Sequence, residues 1–95
     1  MATDKLSQDQ LIALTQELPD WKLEEGQLVR HYSFKDFIAA MAFVNRVADL
    51  AEAAGHHPDI DIRYNRVKLA LVSHEAGGIT AYDAQMARNL SQISQ

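Results

Sequence analysis

The stretch Asp59-Ile60-Asp61-Ile62-Arg63-Tyr64-Asn65-Arg66-Val67-Lys68-Leu69-Ala70-Leu71 decides the fold. Ile60, Ile62 and Tyr64 alternate with Asp59, Asp61 and Arg63, and Val67, Leu69 and Leu71 alternate with Lys68, Ala70 and Val72, the period of two that a half-buried strand requires. Asn65-Arg66 reads as the tight turn between them, so the segment is a hairpin with one apolar face. A two-residue loop there pairs Tyr64 with Val67, Ile62 with Leu69 and Ile60 with Leu71. Extended further, the register sets His57 across from His74 on the face away from the isoleucines. Pro58 can bend the strand before His57 is reached, and a slip of two residues would separate the pair without changing the faces.

Upstream, Ser33 and Asp36 form a capping signature, and Phe34, Phe37, Met41, Val44, Ala48 and Ala51 trace one face of a long helix that ends at Gly55. Before it, Trp21 and Leu23 alternate with polar residues, Glu25-Gly26 supplies a turn and Leu28 to Ser33 is strand-like, which makes a second hairpin. Ser7 with Gln10 forms a capping box, and Leu11, Leu14 and Leu18 recur at helical spacing until Pro19, predicting a helix over Ser7 to Leu18. Downstream, Gly77-Gly78 breaks the chain, and Thr80 with Asp83 caps a last helix carrying Met86, Leu90 and Ile93. The order α-β-β-α-β-β-α predicts an α+β two-layer sandwich: a four-stranded antiparallel sheet with three helices on one face.

At 95 residues, with 47% apolar and 23% charged side chains, residues 1–95 read as a single domain. The net charge of −4 is the wrong sign for a domain that grips phosphates, so no direct nucleic-acid ligand is expected. There is no Cys and no signal-like start, and the apolar run from Phe37 to Ala54 is broken by Asn45, Arg46, Asp49 and Glu52, so the expectation is a cytoplasmic protein without a membrane span. A core this small favours self-association through a sheet edge or helix face, as a homodimer or homotetramer.

Three of the four His lie between Gly55 and Glu75: His56, His57 and His74. Imidazole exchanges protons near neutral pH, which suits acid–base chemistry on a small polar molecule. Nucleophilic catalysis fits less well, since Cys is absent and Ser73 would point to the opposite face from His74 in a strand. Three His and an acid could also hold zinc, but adjacent His56 and His57 would need an irregular backbone to share one ion. His74-Glu75 also lacks the second His of a helical zinc motif.

Glu52, Ala53-Ala54-Gly55, His56-His57-Pro58, then five residues to Tyr64, nine to His74 and eight to Asp83, resembles the signature of the pterin-4a-carbinolamine dehydratases. The likeness extends through Asp59 to Val67 and Ser73 to Thr80, and length and element order are similar across nearly the whole chain. It implies a lyase that removes water from 4a-hydroxy-tetrahydropterin and returns quinonoid dihydropterin in tetrahydrobiopterin recycling, with no metal or cofactor. It assigns His56 and His74 to proton transfer and His57 to holding the pterin. Pro58 and the backbone around Ser73 would help bind it, and Glu52 and Asp83 would orient the imidazoles. Gly55 stands where some relatives carry an acid, and Ile60 where some carry an aromatic residue.

The same resemblance implies a rival role as an interaction module, with a hydroxylase or a transcription factor as partner. Ile38, Phe43 and Val47 lie partly off the main helix stripe and could form the required apolar face. Plainer readings stand beside these. Asp83 serves fully as a helix cap, and Glu52 is a solvated acid at a helix end whose dipole it opposes. Tyr64 and the Phe34, Phe37 and Met41 stripe read as core. Trp21 is either a hairpin anchor or a pterin neighbour, and His31 is a surface residue.

Overall fold

The computed structural model describes residues 4–94. Its elements are α1 (Gln8–Glu17), β1 (Lys22–Glu24), β2 (Gln27–Ser33), α2 (Phe37–Ala54), β3 (Asp59–Arg63), β4 (Arg66–Leu71) and α3 (Ala81–Ile93). The strands form one sheet in the order β1-β2-β4-β3, each pair antiparallel, so the two hairpins join through β2 and β4. Leu28 of β2 and Val67, Leu69 and Leu71 of β4 turn to one side, where they meet Leu14 of α1, Phe43 and Val47 of α2, and Met86 and Leu90 of α3. The α+β sandwich with three helices on one face is therefore the observed architecture.

Local chemistry closes the elements as the sequence predicts in α1 and α3. Ser7 makes the capping box with Gln10. Thr80 makes the second with Asp83, each satisfying backbone N–H groups that the first helical turn leaves unpaired. Trp21 is a core residue, fully buried with its indole N–H donating to Ser91 Oγ at 3.0 Å. His31 is a surface residue, with 61% of its side chain exposed.

Several expectations are corrected. The α2 cap is Asp36, whose carboxylate accepts from Ala39 N at 2.8 Å, while Ser33 closes β2. The buried stripe of α2 is Ala40, Phe43, Val44, Val47 and Ala51, whereas Phe37 is half-exposed and Ala48 exposed. This helix is apolar nearly all round, and what selects its face is Phe43, whose ring packs 4.6 Å from Tyr32 and 5.2 Å from Phe34. Burying that ring contributes roughly 1.5–3 kcal/mol. Phe43 and Val47 are thus core and cannot form a docking face with Ile38.

The β3–β4 turn is Tyr64-Asn65, so Ile62 pairs with Val67 and Ile60 with Leu69, a slip of two from the expected register. Asn65 sets it: its side-chain amide donates to Phe34 O and its carbonyl accepts from Phe34 N, both at 2.8 Å. Tyr64 takes the left-handed turn position at φ 53 and is exposed, not core. His57 and His74 consequently do not face each other across the ladder; both lie beyond the strand ends.

Candidate active site

The end of α2 delivers two of the three imidazoles. Gly55 adopts a left-handed φ of 66, a conformation that costs other L-residues about 1 kcal/mol or more. The His56 N–H then bonds back to Ala51 O at 3.2 Å. The chain reverses here and leads from the helix into β3 with His56 and His57 at the bend.

The start of α3 supplies an anchor. Asp83 is wholly buried, and its carboxylate accepts on Oδ2 from Ser73 Oγ at 2.9 Å and from Thr80 N at 2.8 Å. Oδ1 accepts from His56 Nε2 at 2.5 Å. A buried carboxylate without partners would be costly, and here each oxygen has its donor. The Ser73 and Thr80 hydroxyls also lie 2.8 Å apart, which ties the loop before α3 to the cap. His57 Nε2 donates to Glu52 Oε2 at 2.5 Å, with both side chains mostly exposed. That imidazole offsets the unfavourable position of an acid in the last turn of a helix.

His74 arrives on a tight loop. Ser73 N donates to Gly78 O at 2.9 Å and Ser73 O accepts from Gly77 N at 3.0 Å, with Gly77 in the left-handed region at φ 76. His74 is exposed, and its ring nitrogens have no hydrogen-bond partner among the described residues.

His56, His57 and His74 line one pocket of about 540 Å³ with Ser73, Thr80 and Tyr82, between the end of α2 and the start of α3. The imidazoles converge, but at the junction of two helix ends and not on the open sheet face that the predicted register implied. Glu52 and Asp83 stand behind His57 and His56. Pro58 is buried and does not line the pocket. Ser73 lines it, with its backbone N–H, carbonyl and hydroxyl all engaged inside the protein. Among the described residues, no group of three or more His, Asp or Glu is placed to hold a metal ion. Sequence reasoning passed over several lining residues, Thr80 and Tyr82 among them. Thr80 was legible only as a cap, and Tyr82 carried no signal.

Two imidazoles held by carboxylates and a third left open can pass protons at two points of one small molecule. The carboxylate bond fixes ring orientation and leaves the second nitrogen for the ligand. The pocket size suits a small organic molecule.

The fold is that of the pterin dehydratases. The crystal structure of a transcriptional coactivator/pterin dehydratase from Brucella melitensis is similar to it with a TM-score of 0.90 at 32% identity, over 97% of this chain and 100% of that one. The chain belongs to the Pterin 4 alpha carbinolamine dehydratase family, which it matches over residues 4–93. A protein of Thermomicrobium roseum provisionally named as a pterin-4-alpha-carbinolamine dehydratase is 56% identical over 90 residues, covering 95% of this chain and 97% of the relative. A pterin dehydratase-like RuBisCO assembly factor of the alpha-carboxysome shares the fold alone, with a TM-score of 0.62 at 20% identity over 77% of this chain and 84% of that one.

Proposed function

We propose that this protein dehydrates 4a-hydroxy-tetrahydropterin to quinonoid dihydropterin and water, in tetrahydrobiopterin recycling. The observation that carries the reading is the convergence of His56, His57 and His74 on one pocket, two of them held by carboxylates. Hydroxide is a poor leaving group. One imidazolium therefore gives its proton to the C4a hydroxyl as the C4a–O bond breaks, and a neutral imidazole takes the N5 proton as the C4a=N5 bond forms. Water leaves and the proton count balances. His56 and His74 take these two roles, His57 and the Ser73 loop hold the pterin, and no metal or cofactor enters the scheme.

The test is the rate of water loss from freshly generated 4a-hydroxy-tetrahydropterin, without added metal. The double variant His56→Ala, His74→Ala should lose about 10²-fold or more while still unfolding cooperatively, at a midpoint lowered because the buried Asp83 Oδ1 loses its donor. Acceleration that survives in a folded double variant would overturn the proposal.

Self-association in the cytoplasm belongs to the same proposal. Edge strand β3 leaves Ile60 and Ile62 each 37% exposed, which supports pairing of β3 with a second copy. No helix among the described residues is long and apolar enough to cross a membrane. A second reading, a docking role toward a hydroxylase or transcription factor, is favoured by Phe37 and Ile38 at the start of α2, 48% and 79% exposed. Cellular complementation by a variant lacking all three pocket His separates the roles: full rescue favours docking, and no rescue favours catalysis.

A further inference from the structure

Tyr82 lines the pocket and has no role in the scheme above. It sits at the second position of α3, where its backbone N–H donates to Thr80 Oγ1 at 3.2 Å, so its Cα is fixed by the same cap that holds Asp83. The residue is 52% exposed, and its hydroxyl has no hydrogen-bond partner among the described residues. Its ring lies 6.3 Å from the His56 ring, inclined at 45°. Helix formation does not account for it, because an aromatic residue is a mediocre helix former and the cap needs only its backbone. Packing does not account for it either, since the residue stays exposed at the surface.

A flat heterobicycle needs a flat wall. Ala54, Val72 and Ala76 are too small or too branched to give one, and the scheme above uses the three imidazoles for proton transfer and for holding the pterin through ring nitrogens. Among the described residues, Tyr82 is the only phenolic or benzenoid ring lining the pocket. We propose that Tyr82 is a substrate-positioning residue whose ring face stacks on the pterin and holds the C4a–N5 edge toward the imidazoles. This rests on the dehydratase reading above and adds to it the residue that selects a planar bicyclic ligand. Stacking of this kind is made equally in the ground and transition states, so it acts on KM and leaves kcat in place.

The experiment compares the full chain with Tyr82→Phe and Tyr82→Ala. It measures binding of 7,8-dihydrobiopterin by calorimetry, kcat and KM for dehydration, and the thermal transition of each protein. Tyr82→Ala should weaken 7,8-dihydrobiopterin binding and raise KM, each by about tenfold, with kcat within about twofold. Tyr82→Phe, which keeps the ring, should match the parent protein. Parent-like binding by Tyr82→Ala overturns the stacking role and leaves the dehydratase reading standing. An equal loss in both variants overturns it in favour of the hydroxyl, and a fall in kcat at constant KM overturns it in favour of the chemical step. A parent protein that neither binds 7,8-dihydrobiopterin nor accelerates dehydration overturns both readings.

Discussion

His56 and Asp83, 27 positions apart in sequence, share a 2.5 Å bond between Nε2 and Oδ1, and the carboxylate end of that pair is completely buried. Asp83 is at once the N3 residue of a capping box and the anchor of a pocket imidazole. The two roles use different oxygens: Oδ2 serves the cap and Ser73, Oδ1 serves His56. Asp83→Asn puts an N–H₂ where one of these donors points, leaving a buried group unsatisfied at a cost of roughly 2 kcal/mol. The thermal midpoint should fall by about 10 °C, and dehydration should slow by about 10²-fold as His56 loses its orientation. Calorimetry and rate assays on the same sample check both. An Asn variant within twofold of parental activity would show that His56 needs no carboxylate.

Glu52 and His57 form the same pair in a different setting, since both side chains are mostly in water. A pair this exposed is weak and screened by salt. Glu52→Gln should therefore leave the thermal transition unchanged within error and alter turnover only a few-fold, an effect that shrinks in about 0.5 M salt. A loss as large as that of Asp83→Asn would mean that His57 carries an obligatory proton-transfer step.

Gly55 and Gly78 make a matched pair of tests. A Cβ on Gly55 meets nothing within 4 Å, but φ is +66, so Gly55→Ala acts through backbone strain alone and should cost about 1 kcal/mol. The same change on Gly78 places a Cβ 2.7 Å from Lys5 Cδ, the flexible part of an exposed side chain that can swing aside, and should cost less. Thermal melts rank the two. The Gly55 variant should also lose activity, because the left-handed bend is what presents His56 and His57.

The three His were legible because their spacing is unusual in a chain without Cys, and the fold because strand alternation and two capping boxes agree with each other. The register was not legible. Asn65 fixes it by bonding to Phe34 at both its amide and its carbonyl, a tertiary contact between residues 31 positions apart that no local pattern encodes. The face of α2 was illegible for the opposite reason: too many of its positions are apolar, and the packing of Phe43 on the rings of Tyr32 and Phe34 chooses among them. Thr80 and Asp83 were readable as a cap, yet their partners His56 and Ser73 come from other segments.

Tyr32 provides a test of the core independent of the site. Its ring is partly buried beside Phe43, with the Arg30 guanidinium over the ring at 4.5 Å from its centroid and its hydroxyl 2.9 Å from Ser94 Oγ. Burial pushes its pKa above the ordinary 10.0, the Ser94 hydrogen bond and Arg30 partly offsetting this. A phenol whose folded pKa is raised leaves stability intact below its unfolded value and removes it as pH climbs from there toward the folded value, because the unfolded chain sheds the proton first. Tyr32→Phe has no such proton, so its stability should not carry this alkaline loss, although at neutral pH it forgoes the Ser94 bond, worth about 1 kcal/mol. The difference in unfolding free energy between parent and variant, in which other titrations cancel, should favour the parent at pH 7 and narrow above pH 10. A difference that stays constant through that range would mean that the phenol is solvated in the folded protein.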